Sequence, residues 1–517
     1  MNKKSFSIMV SVLLVLSMVL AACSSNGNGG KATNPPTNDS GSKGNEATDK
    51  PAEPEKPTEF TIMLPLNISE TPPDTIKNEV EKLTNTKLTY NFFPADTYEE
   101  KLNTSFATGS LPEVVYLKNQ ATFIQMKSAI RDGEFWEIGP YLSEFPNLSK
   151  LKPEILNNTM VDGKQYSLYI GRPLARQGLI YRKDWADKLS IEAPKNVDEL
   201  YDMLVKFTNE DPDGNKQNDT MGLSDRNDLV YGAFDTIASW FKTPTGWGDV
   251  NGELQPDFMS EQYVQTMDYM KKIRDAKAMN VEFAATSKTD QVSLFTSGKA
   301  GAYIGSMQDV NSLVKDLVKN VPDAVVDVHS MIAGPDGSFA TWAIPGYNNV
   351  VLFSKSAIKD EAQLKKILAF FDAMMTPEVA NLMYWGIEGT HYEVVDGMAK
   401  VKDSELAERE VKGFKDSVIG ESATNGMLEA LIDLPARVHA EQLIIENEKI
   451  AIHDPTSPLD SATFADKGTE LQTIITDATY KYIYGNLDRA GFDKAIEEWK
   501  KRGGDQIIAE FNEAYKK

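Results

Sequence analysis

The alternation of short apolar runs with helical repeats between residues 60 and 117 is what most limits the fold of this chain. Phe60-Thr61-Ile62-Met63-Leu64 reads as a strand. After Pro72-Pro73, the residues Ile76, Val80 and Leu83 fall on one helical face. Leu88–Phe92 is a second strand, Leu102 and Phe106 mark a second helix, and Val114–Leu117 a third strand. Strand, helix, strand, helix, strand with short connections is the pattern of an open α/β layer. Ligands of such sheets sit at the carboxyl ends of the strands, so the loops near 65–70, 93–97 and 118–122 are candidate binding edges. Asn119, just past the third strand, is a candidate polar contact.

Ahead of this layer lies a different kind of segment. Lys3 and Lys4 precede a nearly unbroken apolar run from Ile8 to Leu20. Thirteen helical residues span roughly 20 Å, short of a bilayer core of about 30 Å, so the pattern is that of a secretory signal, residues 1–22. The run ends Leu20-Ala21-Ala22-Cys23, which resembles the lipobox of bacterial lipoproteins. That resemblance implies cleavage before Cys23, a lipid on its sulfur and anchoring at the extracellular face of the cell membrane. Cys23 is the chain's one cysteine, which excludes disulfides and thiolate metal clusters. Residues 23–58 then read as a tether of Ser, Asn, Gly, Lys, Pro, Thr, Asp and Glu, too polar to offset the entropy of ordering.

Two of the 54 Lys and Arg lie in the leader, so the cleaved chain carries 52 bases against 76 acids. That excess disfavours nucleic acid as a partner, because phosphate binding needs basic surface.

Several stretches together resemble family 1 extracellular solute-binding lipoproteins of ABC importers, of the oligosaccharide type. They are Tyr98–Leu102 leading to Leu111-Pro112-Glu113-Val114-Val115, then Gly178–Trp185, Tyr384–Tyr392, and the ending with Trp499-Lys500-Lys501-Arg502-Gly503-Gly504. The resemblance implies an α/β, two-lobed, periplasmic-binding-protein-like fold of type II, hinged around a central cleft. It places lobe one at 59–176 plus 332–395 and lobe two at 177–331 plus 396–517, with the first crossing near 174–179. It also implies a monomer that binds an oligosaccharide, closes, and presents it to a membrane permease.

Within that frame, Trp240 and Trp247 flank a Gly- and Pro-containing loop; indole faces stack on the C–H faces of sugars, and packing of loop on helix is the other reading. Ser306 follows a Gly-rich strand that would let backbone approach a ligand. Trp342 lies near the second crossing, where cleft and core are both open. Tyr384, Trp385, Glu388 and Tyr392 form a loop that the resemblance sets at the cleft edge; a helix cap with its own hydrophobic cluster is the competing reading. Arg172 and Arg176 beside the first crossing suit an acidic sugar or a salt bridge with the acidic surface.

Asp211, Asp213, Asn215, Gln217 and Asp219 occupy positions 1, 3, 5, 7 and 9 of a calcium-loop spacing, with Gln217 offering its backbone carbonyl. Position 12 is Gly222, so the closing glutamate is missing and a plain turn competes with a structural Ca²⁺.

No GxSxG, HExxH or Walker loop is present. The four histidines are scattered, so the expectation is a binding protein and not an enzyme. A peptide-binding lipoprotein and, further off, a polysaccharide-degrading enzyme with paired carboxylates remain the alternatives.

Overall fold

The computed structural model describes residues 56–68 and 70–516. Cys23, the leader and most of the tether lie outside the described residues. Two sheets organise the folded part. In the first, the strands run Thr86–Pro94, Thr58–Leu66, Val114–Tyr116, Tyr347–Phe353, Ser167–Gly171 in spatial order. Its first three are parallel, and Tyr347–Phe353 is antiparallel to both neighbours. In the second the order is Val326–His329, Gln177–Arg182, Ala300–Ser306, Met221–Ser224. Helices cover both faces of each sheet, which is why strand residues such as Ile62, Met63 and Leu64 are all buried instead of alternating.

The apolar side chains separate into distinct cores. One gathers Ile62, Val114, Leu168, Val351 and Phe371 around the first sheet. Another gathers Leu179, Leu204, Met267, Phe492 and Trp499 on the second sheet, whose other face packs Ile180, Val328 and Leu443. Two cores joined by crossing strands give a two-lobed molecule. The alternating reading of residues 60–117 holds element by element, with one exception. Leu83 is 45 % exposed, so the buried face of the Thr75–Thr84 helix is Ile76 and Val80.

The lobe assignment needs one correction. The resemblance puts residues 396–517 in lobe two, yet Val411, Phe414, Val418 and Ile419 lie in the first core. Phe414 meets Tyr90 and Phe92 edge-on at 5.2 and 5.8 Å from the short helix Lys412–Lys415, and Val411 and Val418 on either side of that helix are buried in the same core. The chain returns to the second lobe before Ala436, which packs with Leu443 on the second sheet.

The crossings are held together by one buried amide. Asn447 Nδ2 donates to the carbonyls of Ala175 and Gln177, both at 3.0 Å, while its Oδ1 accepts from Ser330 at 2.8 Å. Next to it, Thr341–Trp342 pairs with Ala451–Ile452 as a two-stranded ribbon.

Candidate functional site

Between the lobes lies a cavity of about 630 Å³, within the range of small-ligand sites. Lobe one supplies Gln120, Ile124 and Lys127 from the Gln120–Arg131 helix. This helix starts directly after the third strand, at the carboxyl edge that open α/β sheets use for ligands. The crossing supplies Trp342, Pro345 and Tyr347, and lobe two supplies loops around 228, 246 and 454–461.

Aromatic surface and carboxylates share the lining. Trp247 is 6 % exposed and lies 4.9 Å from Phe511, edge to face. Trp342 donates Nε1–H to Thr236 Oγ1 at 3.2 Å, and Tyr231 tilts against its ring at 5.8 Å. Phe464, 44 % exposed, adds a further ring. Among these stand Asp228, Asp235, Asp257 and Asp454. Burial pushes the Asp235 carboxyl up to about 7, helped by Asp228, and the Asp454 carboxyl up to about 6. Asp257 is pushed up as well, by burial first and then by Asp235. Gly246 adopts φ +64°, and a Cβ there would come within 2.7 Å of the Asp454 carboxylate, so only glycine lets these two loops meet. Carboxylates facing an enclosed space are acceptors for hydroxyl groups, and flat rings beside them suit sugar C–H faces.

One ion-pair cluster spans the mouth. Lys127 Nζ lies 2.7 Å from Asp460 Oδ1, and Arg131 contacts the other oxygen of the same carboxylate. Asp460 immediately precedes Ser461, which caps the Ala462–Ile483 helix of lobe two, so the pair ties the two lobes.

Of the residues singled out from sequence, Trp247 and Trp342 line this cavity. Trp240 does not: it is 1 % exposed within the second core, at the end of the Ala233–Trp240 helix. Asn119 caps the Gln120–Arg131 helix, accepting from Thr122 N at 2.9 Å, and its neighbour Gln120 takes the cleft position instead. Tyr384, Trp385 and Tyr392 build a separate small cluster with Ala399, outside the cavity. Trp385 donates Nε1–H to the Leu428 carbonyl, Lys415 covers the Tyr384 ring at 4.1 Å, and Glu388 is exposed. The helix-cap reading thus prevails for that loop. Ser306 ends its strand with a buried, unpartnered hydroxyl, and Arg172 is half-buried at the crossing. Sequence reasoning missed Lys127, Asp454 and Asp460. A lysine in an amphipathic helix looks like solvent-facing charge, and Asp454-Pro455-Thr456 looks like an ordinary turn.

At Asp211–Asp219, position 6 is Lys216 with φ +65°, the left-handed turn that calcium loops place there. Asn215 Nδ2 donates to Asp213 at 2.8 Å and Asp219 at 3.1 Å. Burial raises the Asp213 carboxyl, and Asp211 and Asp219 beside it raise it further, a crowding that a dication would relieve. Among the described residues no three acidic, histidine or cysteine side chains are grouped to hold a metal.

A profile of bacterial extracellular solute-binding proteins matches residues 67–381. The chain belongs to this family. It is 40 % identical to the polygalacturonan/rhamnogalacturonan-binding protein YtcQ of Bacillus subtilis, over 100 % of this chain and 99 % of YtcQ. Lipoprotein LipO of the same organism is 31 % identical over 88 % of this chain and 91 % of its own length. The fold is shared with an HMO-binding, ABC-transporter-associated solute-binding protein of Bifidobacterium longum infantis, at TM-score 0.69 and 17 % identity, over 89 % and 99 % of the two chains. It is shared too with an EF-hand mutant of FusA of Streptococcus pneumoniae in complex with fructo-nystose, at TM-score 0.60 and 18 % identity, over 89 % and 99 %.

Proposed function

We propose that this solute-binding protein is a lipid-anchored receptor that captures an oligosaccharide between its lobes and delivers it, chemically unchanged, to an ABC permease. The observation that carries the reading is the lining of the cleft, which combines Trp247, Trp342 and Phe464 with carboxylate acceptors. The full-length similarity to YtcQ supports a carbohydrate ligand, and the similarity to LipO together with Cys23 supports the anchor. Closure follows from differential affinity, since a ligand touching both lobes is bound most tightly when both surround it.

Thermal-shift titration with plant-wall oligosaccharides tests this. Cleft ligands raise the melting temperature, and the recovered sugar keeps its mass. A shift with peptides and none with sugars favours a peptide receptor. Shortened sugar favours an enzyme, for which Asp235 and Asp454 would be the first residues to replace. For the Asp211–Asp219 loop, spacing, backbone turn and charge crowding support a structural Ca²⁺ held by Asp211, Asp213, Asn215, Asp219 and the Gln217 carbonyl, away from the sugar.

A further inference from the structure

The crossing segment 171–177 carries two arginines for which the aromatic and carboxylate lining of the clamp has no use. Its backbone is fixed at three points. Arg172 N donates to the Gly346 carbonyl at 2.9 Å, the Leu174 carbonyl accepts from Ile344 N at 2.8 Å, and the Arg176 carbonyl accepts from Met307 N at 2.9 Å. This seats both arginines beside Pro345 and Tyr347, which line the cavity, and beside the end of the Ala300–Ser306 strand. Gln177 pairs with Ser306 in register, so Arg176 and Ser306 are near neighbours.

Their polar atoms are left over. Arg176 Nε is buried with no hydrogen-bond partner, and so is Ser306 Oγ. The like charge of Arg172 faces Arg176, and burial together with that repulsion lowers the Arg176 pKa. Asp309 and Tyr231 are the opposing groups within electrostatic reach. Asp309 is shared by Tyr303 at 3.2 Å and Lys288 at 3.5 Å and forms no ion pair with Arg176. Tyr231 connects the arginines to the cavity, since its ring packs on Trp342. The other cations near the cleft are engaged, Lys127 by Asp460 and Arg226 by Asp228 and Gln291. A buried guanidinium nitrogen with no acceptor, beside a second positive charge, is costly unless something else supplies that acceptor.

Given the carbohydrate reading, on which this rests, we infer that Arg172 and Arg176, with the Ser306 hydroxyl, form a subsite at the hinge for the carboxylate of a uronic acid residue. The carboxylate accepts from the guanidinium fork and from Ser306, and it separates the two positive charges. Its place in the cleft follows from charge as well. Asp228, Asp235, Asp257 and Asp454 offer a uronate no positive partner elsewhere in the cavity, and they pair with neutral hydroxyls. The acidic ring therefore lies at the hinge and the hydroxyl-rich remainder against lobe two.

Calorimetric titration of the whole protein with a galacturonate trimer, and with the galactose trimer of the same linkage, tests the assignment. The wild type prefers the acidic trimer by at least about tenfold, the scale of a lost charge-assisted hydrogen bond. In R172Q/R176Q that preference collapses toward one, and Arg176→Lys restores it only in part because an ammonium lacks the fork. Equal affinity of the wild type for the two trimers, a measurement that needs no variant to fold, overturns the assignment; so does a folded double variant that keeps the preference. Binding of the galactose trimer alone overturns the carboxylate subsite and leaves the carbohydrate reading standing, whereas binding of neither removes both.

Discussion

Replacing Asp460 with asparagine loosens the clamp without touching either core. In the wild type this carboxylate is shared by Lys127 and Arg131 across the mouth of the cleft. The Lys127 side chain is only 8 % exposed, while Asp460 is 28 % exposed. A fully exposed pair is worth about 0–1 kcal/mol, and breaking a fully buried one costs about 3–5 kcal/mol. Arg131 keeps Asp162 as a second partner at 3.1 Å, so the loss falls mainly on Lys127. An intermediate cost of about 1–2 kcal/mol results, and because the pair joins lobe to lobe it acts on opening and not on unfolding. That shifts the closed-to-open ratio by roughly 5- to 30-fold. The assay is a distance distribution between spin labels at Lys82 and Lys319, exposed helix positions on opposite lobes, with Cys23 replaced by serine. D460N broadens the distribution toward long distances and weakens every cleft ligand about tenfold. Unchanged distances with affinity within twofold of wild type would show that the bridge does not hold the lobes.

Other consequences are equally direct. W240A costs about 3–5 kcal/mol in urea unfolding, because the indole is core and not ligand contact; a loss below about 1 kcal/mol contradicts its placement. The carboxyls of Asp235 and Asp454 titrate at about 7 and about 6 when folded, against about 4 for an unfolded chain. Their contribution to stability is complete below about pH 4 and is lost as pH rises through 6 to 7. Melting temperature of the empty protein therefore falls between pH 5 and pH 8, and Asp235→Asn flattens that slope; an identical slope in the variant refutes the shift. Ca²⁺ added after chelation raises the melting temperature of the wild type and leaves Asp213→Asn unmoved, while no response in the wild type identifies the Asp211–Asp219 loop as a plain turn.

Periodicity made the first three strands and the helices between them readable, because burial on both faces of a parallel sheet leaves continuous apolar runs. What periodicity does not carry is an address. Val411, Phe414 and Val418 are apolar, but nothing local says which lobe they pack into. Trp240 and Trp247 lie seven residues apart, yet one ends a buried helix and the other turns into the cleft after Gly246. Tyr384 and Trp385 look like a sugar platform, and Lys415 and the Leu428 carbonyl, both distant in sequence, absorb them. The salt-bridge reading of Arg172 and Arg176 fails for a comparable reason: among the described residues, the crossing brings no carboxylate within ion-pair distance of either.

A receptor of the kind proposed holds a saccharide in its cleft and returns it intact. Calorimetric titration with pectin-derived oligosaccharides, followed by mass analysis of the sugar recovered from the same cell, tests this in one sample. The expected result is saturable one-to-one binding, weakened by Trp342→Ala in the cleft lining, and a sugar of unchanged mass. No heat with any saccharide, or recovery of shorter fragments, rules out an oligosaccharide receptor.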